Sequence, residues 1–74
     1  MRRRRPKLFQ FYRDAQYGLL RFIGGPRDGN LIFERWDRAW GTNEPQMVDH
    51  LNLEEYLYLE WMRMGKVRAV PPPS

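Results

Sequence analysis

Three segments rich in aromatic and branched apolar residues predict β-strands in the first half of the chain. They lie at residues 8–13, 17–23 and 30–36, and their composition is typical of a pleated, partly buried surface. Residues 14–16 fit a turn between the first two segments. The pattern therefore predicts a three-stranded antiparallel meander.

The clearest local signal is the sequence GGPRDG at residues 24–29. Pro26 favours the second position of a type I turn over residues 25–28, and Gly29 can adopt the left-handed conformation that closes a bulged hairpin. The glycine spacing also matches the start of a phosphate-binding loop. That loop requires Lys and then Ser or Thr, where this chain has Asn30 and Leu31. We therefore expect a hairpin without phosphate-loop chemistry.

The second half of the chain predicts a long loop followed by a helix. Residues 37–50 have little periodicity and contain Gly, Asn and Pro, which favour a loop. Asn52 fits an N-cap with Glu55 as its capping-box partner, and Gly65 fits the helix end. Residues 56–59 also suit a strand, but the capping signals favour a helix. The side chains expected on its buried face are Leu53, Leu57, Trp61 and Met64.

The predicted fold class is α+β, a small three-stranded antiparallel meander covered on one face by a single C-terminal helix. The sequence leaves open whether residues 67–70 form a fourth, short edge strand. One domain is expected at residues 8–70, because a chain of 74 residues has room for a single small core. A disordered basic arm at residues 1–7 precedes it, and a proline-rich tail at 71–74 follows.

Positive charge is concentrated at the start of the chain. Five of the thirteen basic residues lie in the first seven positions. The rest of the chain has eight basic and nine acidic residues. The sequence therefore describes a nearly neutral domain with a cationic arm, which is expected to contact nucleic acid or an acidic surface, or to act as a solubilising tail. The residues of this arm are Arg2, Arg3, Arg4, Arg5 and Lys7.

The residue inventory disfavours catalysis. The chain has no cysteine, and Ser74, Thr42 and His50 are its only serine, threonine and histidine. Asp49 precedes His50 directly, and adjacent residues point to different sides of a regular backbone, so the two do not suit a catalytic dyad. We therefore expect a protein that is not an enzyme and has neither a cofactor nor a metal site.

The expected location is the cytoplasm, without membrane binding. The absence of cysteine fits a reducing compartment. The longest apolar runs have four or five residues, which is far short of the ~20 that cross a bilayer. The basic start has no apolar segment typical of a secretory signal.

The aromatic content points to binding. Eleven aromatic residues exceed what one small core holds easily, so the surplus either packs with its polar tips in water or forms an interface. The core candidates are Phe11, Phe22, Phe33, Leu57 and Trp61. The residues predicted to bind a partner are Arg35, Arg38, Trp40, Tyr58 and Met62.

Residues 17–33, with GGPRDG between two strands, resemble a turn found in many short uncharacterised proteins of bacteriophages and their high-GC hosts. The resemblance covers about a quarter of the chain and concerns hairpin geometry. It implies a phage product of unknown or host-directed function. By analogy with small phage proteins that take over large host machines, RNA polymerase is the expected partner, with transcription as the regulated process and the basic arm near nucleic acid.

Two other interpretations remain open. The protein could be a nucleic-acid-associated or virion structural protein. It could also be a homodimeric structural protein without a role at nucleic acid.

Overall fold

The computed structural model describes residues 5–38 and 43–73. In this part of the chain the elements are β1 (Phe11–Asp14), β2 (Gly18–Arg27), β3 (Asn30–Arg38), β4 (Pro45–Glu54), α1 (Glu55–Arg63) and β5 (Val67–Val70). The strands form one antiparallel sheet in the order β4-β3-β2-β1-β5. The α+β class is confirmed, and the predicted meander is extended by a strand at each edge.

The hairpin of β2 and β3 is confirmed, but its turn differs from the predicted one. Arg27 pairs with Asn30, so only Asp28 and Gly29 form the turn. Both have positive φ, 52° and 79°, which is the type I′ pattern that matches the twist of paired strands. The predicted turn over residues 25–28 is wrong because β2 continues to Arg27.

The predicted long loop at 37–50 is wrong over much of its length, because β4 begins at Pro45. Asn52 lies within β4 opposite Ile32 and is not a helix cap. Leu51 and Leu53 alternate with polar residues and partly bury their side chains against the core. This period of two is the strand signal in a segment that otherwise resembles a loop.

The helix is confirmed, but its buried face is not the predicted one. Its buried residues are Tyr58, Leu59 and Met62, whereas Leu57 and Met64 are 58% and 59% exposed. Because β4 continues to Glu54, Leu53 does not belong to the helical stripe and cannot set the phase of α1. Among the described residues, no helix has the length and apolar character that crossing a membrane requires.

The core lies between α1 and one face of the sheet. Phe33 and Leu20 are its fully buried centre, and the Phe33 ring lies 5.3 Å from that of Phe22 and 4.7 Å from that of Tyr58. Phe22 and Phe33 are confirmed as core residues, while Phe11 is buried outside this cluster. The cluster contains Tyr12, Leu20, Phe22, Leu31, Phe33, Tyr58, Leu59, Met62 and Val67.

Residues 67–70, which the sequence leaves open, form the short edge strand β5. It pairs with β1, from Phe11 opposite Val70 to Asp14 opposite Val67. The helix therefore carries the chain from β4 at one edge of the sheet to β5 at the other. Gly65, with φ 79°, ends the helix as predicted, and its N–H donates to the Met62 carbonyl.

Two leucines test this assignment of inside and outside. Leu20→Ala should lower the free energy of unfolding by about 2–5 kcal/mol, because Leu20 has no exposed surface. Leu57→Ala makes the same chemical change on the outer face of α1 and should alter it by less than about 0.5 kcal/mol. Urea unfolding of both variants provides the measurement, and equal losses would contradict the observed helix orientation.

Candidate docking groove

A groove separates α1 from the end of β4 and from the turn between β1 and β2. Its volume is about 200 Å³, which is below the roughly 300–1,000 Å³ of typical small-molecule sites. A groove of this size suits a single inserted side chain. The lining residues are Gln16, Tyr17, Leu53, Glu54, Leu57, Tyr58 and Trp61.

Asp14 holds the walls of the groove together. Its Oδ1 accepts hydrogen bonds from the backbone N–H groups of Gln16 and Tyr17 at 2.7 and 2.9 Å, and from Trp61 Nε1 at 3.3 Å. The first two bonds form the local turn that Asp favours after a strand. The third ties this turn to α1. One carboxylate therefore sets the positions of two aromatic walls, Tyr17 and Trp61.

Two buried polar atoms beside the groove retain hydrogen-bonding capacity. Asp14 Oδ2 and the Tyr58 hydroxyl have no hydrogen-bond partner in the described residues, although Asp14 and Tyr58 are only 3% and 4% exposed. Burial raises the pKa of the Tyr58 hydroxyl above its ordinary value, and nearby Asp14 and Tyr12 raise it further. Tyr58 therefore stays neutral at physiological pH and can accept a hydrogen bond.

An apolar stripe on α1 extends the groove surface. Leu57, Trp61 and Met64 follow at helical spacing, so they lie on one side of the helix. Leu57 and Met64 are more than half exposed, and Trp61 is partly buried. We call Leu57, Trp61 and Met64 together the outer stripe.

The predicted partner-binding residues do not form one site. Arg35 makes a two-pronged ion pair with Asp49, with both N–O distances 2.8 Å. This pairing lowers the pKa of Asp49 and raises that of Arg35. Arg38 is exposed at the end of β3, and Trp40 lies outside the described residues.

The structure contradicts the expected exposure of Tyr58 and Met62. Both belong to the core cluster, because the orientation of α1 turns them towards the sheet. Tyr58 still lines the groove from its buried side. Met62 is 9% exposed and contributes to packing.

The described end of the predicted arm lies against the domain. Arg5 forms an ion pair with Glu55 at 3.4 Å, near the start of α1. Pro6 is buried, and the Lys7 backbone N–H donates to the Tyr12 hydroxyl at 2.7 Å. Arg2, Arg3 and Arg4 lie outside the described residues.

No match was found. Comparisons with family models, with curated proteins and with solved structures all returned nothing similar to this chain. The geometry of the groove is therefore the basis for its interpretation. Within residues 5–38 and 43–73, no three His, Asp or Glu side chains come together as a candidate metal site.

The groove was missed at the level of sequence because its walls are far apart in the chain. Tyr17 and Trp61 both bond to Asp14 and both pack against the core cluster, and no local pattern links them. A partial signal exists in the helix, which carries two apolar stripes, the outer stripe and the buried one at Tyr58 and Met62. A helix that covers a single core needs only one such stripe.

Alkaline unfolding tests the environment of the Tyr58 hydroxyl. Its pKa is higher in the folded protein than the ordinary 10.0, so its contribution to stability is present below that pH and is lost as the pH rises above it. Tyr58→Phe should therefore lose less stability than the wild type between about pH 8 and about pH 11.

At neutral pH, Tyr58→Phe should leave the free energy of unfolding unchanged or raise it by up to about 1 kcal/mol, because the lost hydroxyl has no partner within the described residues. Tyr56→Phe is the matched control, since Tyr56 is 63% exposed. Urea unfolding across this pH range measures both variants. The same alkaline loss in the wild type and both variants would contradict the assignment.

Proposed function

We propose that this protein is a non-enzymatic binding protein that docks on a larger protein through the groove and the outer stripe. The exposure of Leu57 and Met64 beside Trp61 carries the proposal. Leu57 and Met64 are not part of the core cluster, to which the same helix contributes Tyr58, Leu59 and Met62 instead. An apolar surface next to a cavity is typical of an interaction site.

The composition of the surface favours a protein partner. Trp, Tyr and Met are enriched at protein interfaces, where they fill pockets or provide them. The groove contains Tyr17, Tyr58 and Trp61 and accepts about one side chain. We expect that side chain to be the anchor of a larger contact over the outer stripe.

Charge complementarity indicates a basic anchor. Glu54 is exposed at the groove, and the hydroxyl of Tyr58, which also lines it, has no hydrogen-bond partner within the described residues. Aromatic rings also attract a cation over their faces. The occupant that fits this chemistry is a lysine or arginine that projects from an apolar surface.

The finer proposal is a phage protein that binds bacterial RNA polymerase in the host cytoplasm, modulates transcription and holds its basic arm near nucleic acid. Its support is the resemblance of residues 17–33 to short phage proteins together with the small size of the chain. The docking surface does not depend on this choice of partner.

Binding to purified bacterial RNA polymerase tests the proposal. We expect Leu57→Ala combined with Met64→Ala to weaken the wild-type affinity at least about tenfold, because truncated interface anchors commonly cost this much. The matched control is Met47→Ala combined with Val48→Ala on β4, where both side chains are 43% exposed. Surface plasmon resonance measures both variants, and both should fold like the wild type.

The possible failures are distinguishable. No binding by the wild type would overturn RNA polymerase as the partner. Equal weakening by both double variants would overturn the outer stripe as the docking surface. Sedimentation that shows a wild-type dimer, abolished only by the change at Leu57 and Met64, would identify a second copy as the occupant and overturn docking on a different protein.

A further inference from the structure

Two arginines lie side by side on the face of the sheet that points away from α1. Arg13 of β1 is directly opposite Arg68 of β5 in the antiparallel register, and both are exposed. Directly opposed residues share one face, with Cβ atoms about 4.5–5.5 Å apart, and like charges in this arrangement repel. Neither arginine forms an ion pair within the described residues.

Four of the other described arginines have carboxylate partners. The pairs are Arg5 with Glu55, Arg21 with Glu34, Arg35 with Asp49, and Arg63 with Glu60. Arg27 and Arg38 also have no ion pair within the described residues, but they lie opposite Asn30 and Pro45. Arg13 and Arg68 differ because the sheet holds these two positive charges directly opposite one another without a neutralising group. Such a pair is suited to an external anion.

Aromatic side chains lie on the same face. Arg13 lies opposite Leu19 of β2, and Leu19 lies opposite Trp36 of β3, so the three side chains share this face. The Trp36 ring packs edge-on against the Phe11 ring, with the ring centroids 5.2 Å apart. Phe9 borders this cluster and is 56% exposed, with the Arg21 guanidinium 5.0 Å from its ring. We call Phe9, Arg13 and Arg68 the open-face patch.

We propose that the open-face patch binds the backbone of single-stranded nucleic acid, with Arg13 and Arg68 on phosphates and the Phe9 ring stacked on a base. Proteins that bind single strands combine cationic side chains along the backbone with exposed aromatic rings that tolerate any base. The site lies on the face opposite the groove. It therefore does not depend on the proposed docking function.

Fluorescence anisotropy with a labelled single-stranded oligonucleotide and the full chain tests this site. Arg13→Gln combined with Arg68→Gln should weaken binding roughly tenfold. The plot of log affinity against log salt should become shallower by about 1.4, since each lost phosphate contact on a single strand contributes about 0.7. The variant should remain folded, because it removes a repulsive pair.

The matched control is Arg27→Gln combined with Arg63→Gln, which removes the same charge from the end of β2 and from α1. It should weaken binding much less. Phe9→Ala should weaken binding without changing the salt slope, whereas Tyr56→Ala, also an exposed aromatic residue, should have no effect.

Three results would overturn the proposal. Equal weakening by both double variants would show a response to net charge alone. Full affinity after loss of Arg13 and Arg68 would assign any binding to the basic arm. Stronger binding to phosphatidylserine vesicles than to the oligonucleotide, lost in the same variant, would identify lipid headgroups as the ligand.

Discussion

The buried carboxylate of Asp14 is the interaction on which the arrangement of this small domain depends. Asp14 ends β1, lies opposite Gly18 of β2 and Val67 of β5, and accepts an indole N–H from α1. Charge-assisted hydrogen bonds of this kind are stronger than neutral ones, and removing a buried acceptor leaves its donors unpaired. The Asp14 side chain therefore links the turn between β1 and β2 to the helix, and these two elements form walls of the groove.

The path of α1 explains why the domain has two different surfaces. The helix crosses one face of the sheet between its two edges, so that face becomes the core and the opposite face remains open. A nine-residue helix cannot cover the whole face, and the gap beside it is the groove. The outer stripe therefore lies on the side of the helix, while Arg13 and Arg68 lie on the opposite face of the sheet.

Local signals predicted the elements whose geometry is local. The hairpin at GGPRDG and the end of the helix at Gly65 depend on turn residues. The start of β4 depends instead on pairing with β3, because residues 46–50 are all exposed and show no alternation of buried and exposed positions. Misplacing the end of β4 also misassigned the helix faces, because Leu53 was then counted with the helix. The groove could not be predicted, because Tyr17 and Trp61 are joined only in the folded chain.

The pairing of β1 with β5 also has a consequence for synthesis of the chain. Phe11 and Val70 are partners at opposite ends of the domain, and closing so long a segment is entropically more costly than forming the hairpins between them. Val67 of this last strand is itself part of the core. A polypeptide that is still emerging from the ribosome can form the central hairpins early, but it gains its complete core only after β5 has left the exit tunnel.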